Sequence, residues 1–248
     1  MPTGRPRRSQ LRSSRWHAHG NVYVVLEGAA AAADLAGTDG AIEVVAVDGD
    51  DVTVRIVNPD GSHAEMSGNG TRIAAAWLMA RTGGELATVH VGPRAVTVRR
   101  AGDGLYESEL GEVEVAPREI VAGVELTAVS VGNPHAVVLD DPARVGELGP
   151  LLETQPRFPE RTNVQIARVD GPGEVTARVW ERGVGETTAS GTSAVAVAAA
   201  THDEGEVLVH FPGGDLRVRL EAGRAWLTGP AAPLDESPGL LDEVLTDR

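Results

Sequence analysis

The sequence predicts an α+β protein made of two similar halves, each a mostly antiparallel sheet or barrel around one central helix. Three observations lead to this prediction. Short runs of β-branched residues between turn residues indicate strands in both halves. Each half also has one Ala-rich segment of helical character. A serine and a glycine turn precede each of these segments, as SGNGTR at residues 67–72 and as SGTSA at residues 190–194.

In the first half, clusters of β-branched residues predict strands at residues 22–26, 42–47, 52–57, 88–91 and 95–99. Turn residues follow two of these strands, as Asp-Gly-Asp at 48–50 and as Asn-Pro-Asp-Gly at 58–61. Residues 71–81 contain no Gly or Pro and are rich in Ala, Leu and Met. They predict a helix that ends at Gly83 and Gly84.

The second half repeats this order. Four strands are predicted before its glycine turn, at residues 124–131, 136–139, 163–169 and 175–180. An Ala-rich helix is predicted at residues 194–200. Three more strands are predicted after the helix, at residues 207–211, 216–220 and 225–228, with a Pro-Gly-Gly turn at 212–214.

The domain prediction follows from composition and from this repeat. Residues 1–16 are expected to form a basic, disordered tail, because the first fifteen residues contain five arginines and no acidic residue. Residues 17–118 and 119–230 are expected to form the two domains, and residues 231–248 to return to the first one. A secretory signal requires an apolar segment after its positively charged residues, and no such segment follows these arginines. We therefore expect a cytoplasmic protein.

Composition excludes several classes of function. The formal net charge of −14 disfavours nucleic acid and anionic membranes as partners. The chain has no cysteine, and all 22 of its Lys or Arg residues are arginine. Schiff-base chemistry on lysine, the usual attachment of pyridoxal phosphate, thiolate catalysis and thiolate metal sites are therefore excluded.

The two serine-glycine turns are candidate anion sites. A helix that begins at such a turn leaves its first N–H groups unpaired, and these groups can bind an anion. The glycine spacing differs from that of a Walker loop or a dinucleotide fingerprint, so a nucleotide phosphate is disfavoured. Glycine turns before helices most often serve only as turns. Two facing helix N-termini could instead bind one carboxylate and flank the carbon atom next to it.

Polar residues beside other turns are further candidates. Glu181 and Arg182 precede the second glycine turn; their charges suit the ammonium and the carboxylate of an α-amino acid, although a surface ion pair is the simpler interpretation. His135 is either a structural residue or a proton-transfer group. Four asparagines occur in turn-like contexts and either form turns only or line a polar pocket. They are Asn21, Asn58, Asn133 and Asn163.

Taken together, these segments resemble the diaminopimelate epimerase family. Its members are cofactor-independent amino acid isomerases of lysine and peptidoglycan biosynthesis. Several independent motifs occur in the family's order, so chance similarity is a poor explanation. The matching segments are residues 16–21, 58–72, 132–135, 159–163, 180–187, 212–216 and 228–230.

The resemblance implies two pseudo-symmetric domains with a substrate cleft between them, where LL- and meso-diaminopimelate are interconverted by two-base α-proton transfer without metal or cofactor. It places the family's two catalytic cysteines at Ser67 and Ser190. It also implies substrate contacts at Asn21, Asn58, Gly68, Asn69, Asn133, Asn163, Glu181, Arg182, Gly191 and Thr192. A small amino acid is then the expected partner, with no nucleic acid and no membrane, and a homodimer is left open.

The serines leave two alternatives open, because an alcohol is a much weaker acid than a thiol. The first is an amino-acid-binding homologue with impaired catalysis. The second is an isomerase or lyase of the same fold that uses His135 or Glu181 as its base. Two further departures from the family pattern are Val22, where an acidic residue is usual, and a shortened segment between residues 27 and 39.

Overall fold

The architecture comes from a computed structural model, which describes residues 12–27, 35, 37–59, 61–64 and 67–234. Its helices are α1 (Gly68–Thr82), α2 (Val145–Glu153) and α3 (Gly191–Thr201), with a short 3-10 helix at Pro142–Arg144. Its strands are β1 (Arg12–Ala18), β2 (Asn21–Glu27), β3 (Gly40–Asp48), β4 (Asp51–Val57), β5 (His63–Ala64), β6 (Leu86–Val91), β7 (Arg94–Gly102), β8 (Leu105–Glu112), β9 (Glu114–Val115), β10 (Glu119–Val121), β11 (Val124–Ser130), β12 (Pro134–Leu139), β13 (Asn163–Gly171), β14 (Glu174–Glu181), β15 (Gly185–Thr187), β16 (Gly205–Phe211), β17 (Gly214–Glu221), β18 (Arg224–Pro230) and β19 (Ala232–Pro233).

Two halves of the molecule repeat the same strand pairings. In the first half, β1–β8, the pairing of β1 with β2 is antiparallel, β2 with β3 parallel and β3 with β4 antiparallel. Strand β4 then pairs in parallel with β6 across α1. In the second half, β11–β18, the pairings of β11, β12, β13 and β14 have the same directions, and β14 pairs in parallel with β16 across α3. This repeat confirms the predicted α+β fold.

The central helices are buried on almost every side. Residues 69–79 of α1 are buried, and in α3 a run of small residues at 193–198 is buried as well. A helix without a polar face must be surrounded by protein, and the small alanines allow the strands to approach closely. Each helix lies in its own apolar cluster, and each cluster is formed mainly by one half.

The halves are also joined through their strands. Strand β18 pairs with β8, β9 pairs with β11, and β19 pairs with β1. The two apolar clusters are therefore separate, but hydrogen bonds between strands connect the halves. The domain boundary near residue 118 stays a prediction, because strand pairing that continues from one half to the other does not mark a boundary. None of the helices in the described part of the chain has the length and apolarity needed to span a bilayer.

Several elements differ from the sequence prediction. Residues 12–16, expected in a disordered tail, belong to β1, where Trp16 is buried and the strand pairs along its whole length with β2; residues 1–11 lie outside the described part. Helix α2 was not predicted, because two glycines and Pro150 lower its helix propensity. Both central helices begin directly after the serines, at Gly68 and Gly191, three residues before the Ala-rich segments from which they were predicted.

Candidate active site

The N-termini of the two central helices meet at the junction of the halves. A Cβ atom placed on Gly68 would lie 3.7 Å from the Cα of Gly191, and the reverse distance is 3.8 Å. The N–H groups of each first turn have no acceptor within their own helix. Two positive helix ends therefore converge on one point, which suits an anion. The predicted candidates Ser67 and Ser190 are the N-cap residues of these helices.

Ser67 faces a phenol. Its Oγ accepts a hydrogen bond from the Gly70 N–H at 3.0 Å, which caps α1. The same Oγ lies 3.3 Å from the hydroxyl of Tyr23 in β2, and either oxygen can donate in this contact. Tyr23 was not identified from the sequence, although its spacing from Asn21 places both side chains on one face of the strand.

Ser190 faces a carboxylate instead. Its side chain makes no capping hydrogen bond to α3. Burial raises the pKa of the Glu181 carboxyl, while hydrogen bonds from Thr187 and Ser190 oppose the increase. The Thr187 hydroxyl donates to Glu181 Oε1 at 2.5 Å. The group beside Ser190 is therefore a proton acceptor of raised basicity, on β14 of the second half.

A polar chain connects the first helix turn to the strands of the first half. Asn69 Nδ2 donates to Asn21 Oδ1 at 2.5 Å, and Arg72 Nη2 donates to Asn69 Oδ1. Arg72 is fully buried, and among the described residues its Nε and Nη1 atoms have no hydrogen-bond partner. Burial lowers its pKa to about 10. The sequence could have indicated that Arg72 lies near the site. Residues four apart on a helix share a face, and Arg72 follows Gly68 by four residues.

Three segments of the second half come together around Asn163. Its Oδ1 accepts the Arg182 backbone N–H at 3.0 Å, and its Nδ2 donates to the carbonyl of Pro134 at 3.0 Å. Arg182 Nη1 donates to the Glu160 carbonyl at 3.1 Å, and the Arg182 side chain remains partly exposed. The predicted candidates Asn133, Asn163, Glu181 and Arg182 thus lie in one neighbourhood.

His135 does not have the geometry expected of a base. The side chain is fully buried. Its Nδ1 contacts Gln165 Nε2 at 3.0 Å, and its Nε2 contacts Asn133 Oδ1 at 3.1 Å. Burial lowers the pKa of His135 to about 3. Because both ring nitrogens are engaged, the arrangement favours the structural interpretation, in which His135 orients Asn133 and Gln165.

The remaining candidates occupy the rim or the helix turns. Asn58 Nδ2 donates to Ser62 Oγ at 2.9 Å within the turn after β4. Thr192 is the second residue of α3 and is partly exposed. His19, between β1 and β2, was not identified from the sequence; burial, followed by the charge of Arg72, lowers its pKa to about 4. Within the described ranges, no group of three or more His, Cys, Asp or Glu residues could hold a metal ion.

Comparison with known proteins identifies the family. A family model described as diaminopimelate epimerase matches residues 127–232. The diaminopimelate epimerase of Xanthomonas campestris pv. campestris is 36% identical, over 90% of this chain and 94% of that protein. That of Desulforudis audaxviator is 40% identical, over 79% of this chain and 81% of that protein. The chain belongs to the diaminopimelate epimerase family.

Solved structures share the diaminopimelate epimerase-like fold. A structure titled as a predicted epimerase from Pseudomonas aeruginosa matches with a TM-score of 0.71 at 21% identity, over 91% of this chain and 98% of that chain. A hydroxyproline epimerase from Agrobacterium vitis, with bound trans-4-hydroxy-L-proline, matches with a TM-score of 0.63 at 14% identity, over 90% of this chain and 89% of that chain. At these identities the likeness extends to the fold alone.

Proposed function

We propose that this protein is a cofactor-independent isomerase of the diaminopimelate epimerase type, which interconverts LL- and meso-diaminopimelate in lysine and peptidoglycan biosynthesis. The observation that carries the proposal is the pair of helix N-termini that meet at Gly68 and Gly191. Family membership supports the substrate, since the curated relatives are named for this activity. A cytoplasmic location and the domain limits 17–118 and 119–230 belong to the same proposal.

The paired helix ends would bind the carboxylate next to the reacting carbon. Carboxylates are stabilised by unpaired N–H groups and by the positive ends of helix dipoles. The same charges stabilise the negative charge that develops when the α-proton leaves. Asn69 and Thr192 lie in these two helix turns, and Asn21 orients Asn69. The α-carbon would then lie between Ser67 and Ser190.

The other end of the substrate would lie against the second half. Asn163 fixes the backbone of Arg182, whose guanidinium can bind a second carboxylate with two parallel hydrogen bonds. Asn133 and Asn58 supply amide groups at the rim. Of the two bases considered, Glu181 is favoured over His135, because Glu181 is linked to Ser190 whereas both nitrogens of His135 are engaged. Ser190 would take the α-proton as its own proton passes to Glu181.

The test is solvent exchange at the α-carbon. LL- and meso-diaminopimelate are incubated with the protein in heavy water, and deuterium at the α-carbon is followed by mass spectrometry. We expect incorporation by the parent protein. Calorimetric binding without any incorporation would instead establish a binding homologue that lacks catalysis.

A sharper test replaces the two serines by cysteines. The double substitution Ser67→Cys with Ser190→Cys should increase epimerisation, measured as deuterium in the epimer, about tenfold to a hundredfold, because each thiol would lie at a helix N-terminus that favours its thiolate. Each single substitution should give a much smaller gain, since epimerisation needs a group on each face. Ser13→Cys, at an exposed position of β1, is the control for an added thiol. No gain in a folded double variant would contradict the assignment of these two positions.

A further inference from the structure

The feature that the family assignment does not explain is the phenol beside Ser67. Tyr23 is 8% exposed, and its hydroxyl lies 3.3 Å from Ser67 Oγ. A glycine on the neighbouring strand leaves room for the ring. A Cβ on Gly40 would lie 3.2 Å from Tyr23 Cε1 and 2.4 Å from the carbonyl oxygen of Val57, and Gly40 has φ of +147°. A side chain at position 40 would crowd the ring, so the phenol can occupy this place because residue 40 is glycine.

The hydrogen bonds of Ser67 determine which way a proton can move. Its Oγ already accepts from the Gly70 N–H, so one acceptor position and one proton remain. When Tyr23 donates to the acceptor position, the serine proton is free to point into the cleft. Two donors on Oγ also stabilise the oxygen as it loses its proton, which makes Ser67 a better acid than an isolated alcohol.

Burial and nearby carboxylates keep the Tyr23 phenol protonated. Burial is the main reason that the Tyr23 pKa is raised, and the carboxylates of Asp39 and Glu181 raise it further, while the hydrogen bond with Ser67 opposes them. Asp39 precedes β3 and accepts the Val22 N–H at 2.7 Å, whereas Glu181 comes from the other half. The phenol is therefore close enough to the second half to respond to its carboxylate, which indicates that it faces the cleft.

We infer that Tyr23 supplies the proton that Ser67 returns to the α-carbon, on the face opposite Ser190 and Glu181. The inference rests on the proposed function. Tyr23 is a positioning and relay residue, because only Ser67 would touch the reacting carbon. A phenol suits this task because it is a much stronger acid than an alcohol, and because protonation of Glu181 by the α-proton removes one of the charges that raise the Tyr23 pKa.

The proton transfers balance. On one face, the α-proton passes to Ser190 Oγ as the Ser190 proton passes to Glu181, and the electron pair of the broken C–H bond stays on carbon. On the other face, that pair takes the Ser67 proton to form the new C–H bond, and the Tyr23 proton passes to Ser67. Glu181 ends as a carboxylic acid and Tyr23 as a phenolate. Exchange with water restores both groups, and the reverse reaction uses the same steps backwards.

Tyr23→Phe tests the relay, with Tyr106→Phe as the matched control. The chain has two tyrosines. Tyr106 is also buried in the first half, and its hydroxyl contacts Arg100 Nη1 at 3.4 Å rather than the site. In heavy water, for the isomer whose α-hydrogen faces Ser190, deuterium in the unchanged isomer reports proton return from the Glu181 face, and deuterium in the epimer reports return from the Ser67 face. Tyr23→Phe should decrease epimerisation about tenfold or more while exchange with retention persists.

The outcomes separate this inference from the proposed function. Ser67→Ala should change the ratio of epimerisation to retention in the same direction as Tyr23→Phe, and Tyr106→Phe should leave it at the parent value. An unchanged ratio in Tyr23→Phe, or an equal decrease of both processes, overturns the relay while leaving the isomerase proposal intact. Absence of all exchange in the parent overturns both.

A titration provides a measurement that does not depend on turnover. In the Tyr106→Phe protein, the ultraviolet absorbance of phenolate reports Tyr23 alone. Adding Ser67→Ala should shift this titration to higher pH, because Ser67 lowers the pKa of Tyr23. Adding Glu181→Gln should shift it to lower pH, because the Glu181 carboxylate raises that pKa. A titration that neither substitution moves would overturn the contact on which the relay depends.

Discussion

The two halves of the molecule repeat one order of strands around a central helix but place different side chains at the start of that helix. In the first half, Ser67 caps α1 and contacts a phenol. In the second half, Ser190 makes no cap and its neighbour is the Glu181 carboxylate. The fifth helical residue is a buried arginine, Arg72, in α1 and a buried valine, Val195, in α3. The repeat thus sets the positions of the two serines, and individual substitutions place a phenol beside one and a carboxylate beside the other.

A second difference lies in the connection between the parallel strands. From β12 to β13 the chain passes through α2, which packs against β14. Glu153 at the end of α2 accepts from Trp180 Nε1 at 2.7 Å and from the Gly183 N–H at 2.8 Å. These bonds anchor the residues on either side of Glu181, at the end of β14, and Arg182, which follows it. In the first half, the connection from β2 to β3 is much shorter and lies mostly outside the described residues.

The largest effect is expected from Gly149→Ala, which tests whether α2 anchors the second half. An added Cβ would lie 2.6 Å from Cβ and Cγ of Trp180, so the helix must move, and we expect a loss of about 3 kcal/mol in the free energy of unfolding. Gly146→Ala in the same helix meets no atom within 4 Å and should be neutral or stabilising by about 0.5 kcal/mol. Urea unfolding measures both, and equal losses would contradict the packing argument.

The next largest effect is expected on ligand affinity. It compares Arg182 and Asn58, which follow β14 and β4, the strands with the same place in the two halves. Arg182→Ala should weaken diaminopimelate binding by about 2 kcal/mol, because a charged, two-bond contact is lost. Asn58→Ala should cost about 1 kcal/mol, because a neutral amide contributes less. Isothermal titration calorimetry compares the two. A larger loss for Asn58→Ala would mean that the first half binds the distal end of the substrate.

A smaller effect with a defined pH dependence is expected for Glu153→Gln. Hydrogen bonding from Trp180, then from Gly183, lowers the Glu153 pKa below its ordinary value of 4.5, although burial opposes this. The stabilisation by the carboxylate is therefore present above pH 4.5 and lost as the pH falls through the lowered pKa. The variant should be about 1.5 kcal/mol less stable at pH 7, and the difference should disappear in acid. A difference that is constant with pH would show that charge is not involved.

The smallest expected effect is a difference in protein stability between alanine substitutions of the two serines. Ser67→Ala removes a helix cap and should cost about 1 kcal/mol. Ser190→Ala removes no cap and should cost less than about 0.5 kcal/mol. Thermal unfolding of the two variants checks this order. The reverse order would mean that the bond between Ser190 and Glu181 stabilises the fold more than the cap does.

Much of the fold could be predicted because its main elements are locally encoded. The two central helices and most long strands follow from Ala-rich and β-branched runs between turns. Strand β8 and helix α2 could not be predicted this way. Helix α2 contains two glycines and Pro150 and is stabilised by contact with β14 rather than by propensity. The parallel pairings across the helices also depend on tertiary packing, which the short-range pattern does not report.

The parts of the site that a motif determines, such as the backbone at a helix N-terminus, could be predicted. The hydrogen bonding and protonation of side chains depend on burial in the folded protein and could not. The serine-glycine turns correctly located the two helix N-termini. The contact between Tyr23 and Ser67 joins residues that local sequence does not relate, and the burial of an arginine, Arg72, is not expected from its residue type. His135 is the opposite case, because histidine suggests proton transfer by residue type, while the fold buries it and engages both nitrogens.

The pairing of β19 with β1 has a consequence for biosynthesis. Pro233 lies opposite Trp16, so roughly 200 residues must be translated between the two strands of this pair. At about 5 to 20 residues per second, the ribosome takes roughly 10 to 40 s to cover that distance. During this time the nascent first half lacks the strand that covers one side of β1. Co-translational folding can therefore build its helix and most of its sheet, but closure of that edge waits for the last part of the chain to emerge.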